Sequence, residues 1–260
     1  MTSGVRRRIG RRLGGLLGVG GLLATLLFWP LPPGKSEFDT GCDPVRLPKV
    51  GAAAPVGNGL VADERGFSII EQPTIFSLGA SVLSRSAKVA YHTTVWFRLV
   101  AAGGGVIWEG KPHELSVIRP GQRVSVGEVA DVYYSYEAIK VVGVAVVFGT
   151  THWVQDDPRN RLMQMTFDST FATYERETNS ALISYGPVFP YGCQGLALRH
   201  VAYVFRDTRG VVIGGSTRVQ GKDLDACNGM HLDTSIWIGM LPDGVDLGQS
   251  RRTTYCDIAA

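Results

Sequence analysis

Trp96-Phe97-Arg98-Leu99-Val100-Ala101-Ala102-Gly103-Gly104 lines up with Ala202-Tyr203-Val204-Phe205-Arg206-Asp207-Thr208-Arg209-Gly210 at an offset of 106 residues. In both stretches apolar side chains alternate with others before a Gly-containing turn, the period of a half-buried strand entering a hairpin. Phe97 and Leu99 take the positions of Tyr203 and Phe205, and these four are the expected core residues. A short apolar strand follows in each half, Val106-Ile107 or Val211-Val212-Ile213, and then a turn signal, Pro120-Gly121 or Asn228-Gly229. A repeat of this length is too long for a solenoid module and fits two Ig-sized sandwiches.

Outward from these hairpins, β-branched and aromatic runs alternate with Gly, Pro, Asn and Asp clusters. The expected strands are Phe67 to Ile70, Ala87 to Thr93, Thr94 to Val100, Val106 to Trp108, Arg123 to Val126, Val141 to Phe148, Leu182 to Ser184, Leu196 to Phe205, Val211 to Ile213, Leu232 to Ile238 and Thr253 to Ile258. Helical periodicity is nearly absent, apart from a turn over Gly127 to Tyr136. A Pro, Gly and Ala-rich stretch, 32–66, reads as an extended stem. The first sandwich is expected over 67–155, a polar linker over 156–179 and the second sandwich over 180–260.

The N-terminus carries a different signal. Arg6, Arg7, Arg8, Arg11 and Arg12 lie in a basic segment, 1–12, directly before the uncharged run Leu13 to Leu31. That run is 19 residues long, and at about 1.5 Å per residue it reaches across the ~30 Å hydrocarbon core of a bilayer. Clustered arginine stays cytoplasmic, so the chain is expected to be a single-pass cell-membrane protein with its C-terminal part outside the cytoplasm. Gly34-Lys35-Ser36 is a poor cleavage site behind Pro30, Pro32 and Pro33, which favours a retained anchor. Gly14 and Gly18 form a small-residue spacing compatible with a homodimer through the membrane helix. The fold class is thus all-β: an N-terminal transmembrane helix followed by two tandem Ig-like β-sandwich domains.

The charge of +3, from 26 basic and 23 acidic residues, is a topology signal. Without the five membrane-flanking arginines, 21 basic residues face 23 acidic ones. Nucleic-acid binding would need a clustered basic face, which the exported part lacks. Cys42, Cys193, Cys227 and Cys256 are spaced too widely for a zinc or redox motif and read as disulfide candidates. Three of them lie near the C-terminus, so at least one bridge is expected among Cys193, Cys227 and Cys256.

Catalytic signatures are missing. No Gly-x-Ser-x-Gly elbow occurs, and His92, His113, His152, His200 and His231 show no zinc-type spacing. Asp156-Asp157, Asp223 with Asp225, and Asp243 with Asp246 carry calcium-type oxygens but lack a full loop pattern, so turn formation is the simpler role. Met163, Met165, Met230 and Met240, with His231, offer soft ligands for copper, against which core filling is the plainer account. Tyr133, Tyr134 and Tyr136, with Tyr91, Trp96, Trp108 and Trp153, either fill the core or form a platform for a protein or glycan.

At the two hairpins the chain resembles bacterial extracytoplasmic β-sandwich domains of the FxLYD type. These carry an aromatic, any residue, an apolar residue and often Tyr-Asp, followed by a Gly turn and later a Pro-Gly turn. Tyr203-Val204-Phe205-Arg206-Asp207 with Gly210 is similar to that motif, as is Phe97-Arg98-Leu99 with Pro120 and Gly121. Val100-Ala101 and Asn228-Gly229 depart from it. The resemblance implies a cell-surface accessory sandwich with no carried-over catalytic residue, and no cofactor is expected. The functional expectation is a non-catalytic interaction surface for a cell-envelope protein or glycan. The alternatives are a copper or calcium binder and a cell-wall hydrolase.

Overall fold

The computed structural model describes residues 45–71, 74–132, 140–169, 173–177, 180–184, 196–219, 227, 235–239 and 241–258. The basic segment, the membrane run with Gly14 and Gly18, Cys42, Cys193, Met230, His231, Met240, Tyr133, Tyr134, Tyr136, Asp223, Asp225 and Asn228-Gly229 lie outside them. Among the described residues no helix is long and apolar enough to cross a membrane. The described chain is all-β, built of antiparallel sheets.

The first half comprises β1 (Ala54–Pro55), β2 (Leu60–Glu71), β3 (Ile75–Ser84), β4 (Val89–Ala101), β5 (Val106–Glu109), β6 (His113–Ile118), β7 (Arg123–Asp131), β8 (Val141–Phe148) and β9 (Thr150–Val154). The second comprises β10 (Thr166–Ser169), β11 (Thr173–Glu177), β12 (Ser180–Ser184), β13 (Leu196–Asp207), β14 (Val212–Val219), β15 (Ser235–Gly239) and β16 (Val245–Ile258). These strands make four sheets. Sheet I is centred on β4, with β5 and β6 along one edge, β8 and β9 along the other, and β1 beyond β9. Gly110 and Gly149 interrupt the flanking strands, yet their N–H groups donate to the Phe97 and Thr94 carbonyls, each at 2.9 Å, so the ladder continues. Sheet II is β2-β3-β7, sheet III is β10-β16-β13-β14 and sheet IV is β11-β12-β15.

Alternation along β4 explains the first core. Thr93, Val95, Phe97 and Leu99 are fully buried, and Val95, Phe97 and Leu99 meet Phe76, Leu78, Ala80 and Val82 of β3 and Val124, Val126 and Ala130 of β7. Sheet I therefore closes on sheet II. A second core lies between sheets III and IV, where Val201, Tyr203 and Phe205 pack with Ala181, Ile238, Leu241, Val245 and Leu247. All four motif residues, Phe97, Leu99, Tyr203 and Phe205, have no exposed surface.

The two hairpins match bond for bond. The Ala101 N–H donates to Gly105 O and the Gly104 N–H to Ala101 O, while the Asp207 N–H donates to Val211 O and the Gly210 N–H to Asp207 O, all between 2.9 and 3.0 Å. Gly104 and Gly210 hold φ of 80° and 79°, a region open to glycine at no steric cost. The register slips at Leu99/Val100 in one hairpin and at Phe205/Arg206 in the other, again 106 residues apart. The Asp207 carboxylate accepts from the Arg209 and Val211 N–H groups and fixes its own turn. Pro120-Gly121 makes the β6–β7 turn, with Gly121 at φ 69° and the Gln122 N–H donating to Arg119 O.

Sheets II and III meet along a seam that sequence patterning does not announce. The β3 and β7 residues facing sheet III are Ser77, Gly79, Ser81, Ser125 and Gly127, and opposite them lie Gly214, Gly215, Thr217 and Thr253. Sheets usually stack about 10 Å apart with side chains between them. Here a Cβ on Gly215 would fall 2.5 Å from Tyr203 O, 2.6 Å from Leu78 O and 2.8 Å from the Gly79 Cα, so the backbones themselves are in contact. The Ser77 hydroxyl donates to Gly215 O and accepts from the Gly215 N–H, both at 2.8 Å. Tyr255 and Ala202, from sheet III, belong to the first core. The Arg206–Glu64 ion pair crosses the same seam.

Several expectations change in this structure. Ala87 to Val100 contains one strand, β4, because the register with β6 resumes at Thr93↔Leu115 and Thr94↔Glu114 after His92. Gly127 to Asp131 is strand, since Gly127 serves close approach to Tyr203 O and not a turn. Pairing begins within the expected stem, at β1 and β2, and β10 and β11 lie within the expected linker. Met163 is 43% exposed while Met165 is fully buried, so they share no open site. Cys227 and Cys256 form a disulfide, with Cα atoms 6.0 Å apart.

Candidate functional site

From Thr94 onward the even-numbered residues of β4 look outward from sheet I. Trp96, Arg98 and Val100 are each partly exposed, paired across β8 with Val147, Ala145 and Gly143. Across β5, Arg98 faces Glu109. One carboxylate oxygen of Glu109 gathers both neighbours: Trp96 Nε1 donates to it at 2.6 Å, and Arg98 Nε and Nη2 donate at 3.0 and 2.8 Å. The guanidinium carbon lies 6.0 Å from the Trp96 ring centroid, within cation–π range. Hydrogen bonds from Arg98 first, and then from Trp96, hold the Glu109 carboxyl below its usual range. Exposed Val106 and Val142 flank the hairpin tip.

Further along the same strand, His92 stands at φ 51°, left-handed backbone that a β-branch-free but bulky residue adopts at a cost of about 1–3 kcal/mol. Its Nδ1 lies 3.3 Å from Glu114 Oε1 of β6, and its Nε2 lies 3.1 Å from Asp257 Oδ2 of β16. Arg199 also reaches Asp257 Oδ2, at 3.3 Å. The imidazole stacks on Tyr91 at 4.0 Å. Burial, reinforced by Asp257 and Glu114, pushes the Tyr91 phenol up to about 12. One ligand atom from each of His92, Glu114 and Asp257 lies within 4.8 Å of the others, a spacing a cation can use. With both ring nitrogens facing carboxylates and a guanidinium on Asp257, the group works here as a polar staple between β4, β6 and β16.

Other residues singled out by sequence have structural duties. Asp157 caps the turn at 158–160 and pairs with Arg159, and Asp156 pairs with Arg119. Asp246 accepts from the Gly248 N–H. Trp153 packs against the first core, over Gly59. His152 bonds Gly51 O. His113 and His200 are brought together from distant strands, with ring centroids 6.2 Å apart; nothing in their spacing signals this. Glu109 was also missed, because a lone acid after Trp108 carries no pattern. Neither the family models nor the curated proteins searched contain a match to this chain.

Proposed function

We propose that this chain is a membrane-anchored, extracytoplasmic protein of two tandem Ig-like sandwiches, sheets I–II and III–IV, that presents the outer face of sheet I to a cell-envelope protein or glycan without catalysing a reaction. One comparison carries the reading. At the offset of 106, Trp96, Arg98 and Glu109 correspond to Ala202, Val204 and Gly215. In the second half that face is small and is buried under sheet II; in the first half it is open and carries a tryptophan and an arginine held ready by a shared carboxylate. These two residue types dominate binding hot spots, and holding them in place beforehand lowers the ordering cost of association. The FxLYD-type resemblance points to the same accessory role.

The test is a photocrosslinking amino acid placed at Trp96 or Arg98 in intact cells, with Arg209 on the opposite hairpin as control. A discrete adduct from sheet I, abolished by Arg98→Glu and absent from the Arg209 probe, is the expected result. Equal labelling from both hairpins, or none from sheet I, defeats the reading.

A further inference from the structure

His113 opens β6 beside Val95, and His200 lies in β13 beside Tyr255. His200 is almost wholly buried, and its ring stacks on Tyr255 at 4.5 Å. The Nε2 atoms of His113 and His200 are both buried and both without a hydrogen-bond partner. A buried polar atom left unpaired costs about 1–3 kcal/mol, and here two such atoms belong to neighbouring rings set at 81°. The Lys111 backbone acts on His113 in the sense that favours its protonated form. An imidazole Nε2 without a hydrogen-bond partner is the atom that can offer a lone pair to a ligand.

The surroundings limit what can bind. The Tyr255 hydroxyl is committed to Ser125 O at 2.8 Å and offers no ligand. Burial, and next to it the neighbouring His113, drives His200 down to about 3, and burial also lowers His113. Both rings therefore stay neutral at physiological pH, and among the described residues no carboxylate acts on either of them. A zinc ion needs four ligands and would be under-coordinated in this dry place. A monovalent ion that accepts two nitrogens in line suits it better. At a metal–nitrogen distance of about 2.0 Å, an ion between two imidazoles sets their centroids about 6 Å apart, against the 6.2 Å observed.

We propose that His113 and His200 form a buried two-imidazole site for a copper(I) ion, bound in line between their Nε2 atoms with no change of oxidation state. The site is separate from the outer face of sheet I and stands or falls independently of it.

The experiment uses the full chain in detergent, under anaerobic reducing conditions, with copper(I) supplied as its bicinchoninate complex. One ion per chain should be withdrawn from the chelator, and X-ray absorption of the wild-type protein should show two nitrogen scatterers from imidazole and no sulfur. His113→Gln and His200→Phe, checked for folding by circular dichroism, should each weaken binding at least 100-fold, while Met163→Leu at the exposed thioether should leave it unchanged. Failure of the folded wild type to take up copper, sulfur in the copper shell, or uptake unaltered in both folded histidine variants overturns the proposal. Should the variants not fold, the wild-type stoichiometry and ligand shell decide alone.

Discussion

Replacing Gly215 by alanine tests the seam directly. The added Cβ would sit at 2.5, 2.6 and 2.8 Å from three backbone atoms, those of Tyr203 O, Leu78 O and Gly79 Cα. None belongs to a side chain that can swing away: Leu78 O and Gly79 Cα lie across the seam and Tyr203 O on the paired strand β13, so sheets II and III must separate and the β13–β14 ladder must shift by several tenths of an ångström or more. Overpacking of this kind costs about 1–3 kcal/mol. Separation also stretches both Ser77–Gly215 hydrogen bonds, now 2.8 Å each, worth about 1 kcal/mol apiece. The expected loss is about 3–5 kcal/mol, a large part of a domain's ~5–15 kcal/mol. Urea unfolding followed by tryptophan fluorescence measures it. Gly103→Ala is the control, because nothing lies within 4 Å of a Cβ there; it should change stability by no more than about 1 kcal/mol, and in the favourable direction. Gly215→Ala unfolding within about 0.5 kcal/mol of wild type would show that the sheets do not touch through their backbones.

Glu128 projects into the first core, where burial raises its carboxyl to about 7 and Oε2 has no partner. The folded state then holds this proton longer than the unfolded chain, so stability should fall as pH rises from about 4.5 to 7 and stay level above. The full shift corresponds to about 3 kcal/mol, reduced to about 2 kcal/mol by partial exposure; Glu128→Gln should abolish the slope and be the more stable protein at pH 8, and an unchanged slope in urea titrations would reject this. Reducing the Cys227–Cys256 bridge, which closes 29 residues, should cost about 3–4 kcal/mol, read as a lower melting temperature with reductant; equal melting with and without it would refute the estimate.

The hairpins were legible because Phe97, Leu99, Tyr203 and Phe205 alternate with polar or small residues and end at glycines that hold positive φ. β3 was not. Its sequence, Ile75 to Ser84, buries Phe76, Leu78, Ala80 and Val82 on one side and Ser77, Gly79 and Ser81 on the other, and the second set resembles a loop only because backbone contact demands small residues there. The open face was half legible: Trp96 and Arg98 stand in the quoted motif, but Glu109, which joins them, is recognisable only through the β4–β5 register. The histidine pair depends on β6 and β13 meeting at the border of two sheets, a long-range contact with no local signature.

Glu109 standing where the second half has Gly215 also bears on self-association. A surface that docks on a different surface of a like unit, head to tail, tends to grow without limit into filaments, and the sheet II–sheet III seam is a contact of that kind within one chain. Continuing it onto sheet I would require backbone-to-backbone approach where Trp96, Arg98 and Glu109 now project. On the proposed two-sandwich reading the chain carries its own stop: one seam can form inside the chain, and the next unit in line is turned away by side chains.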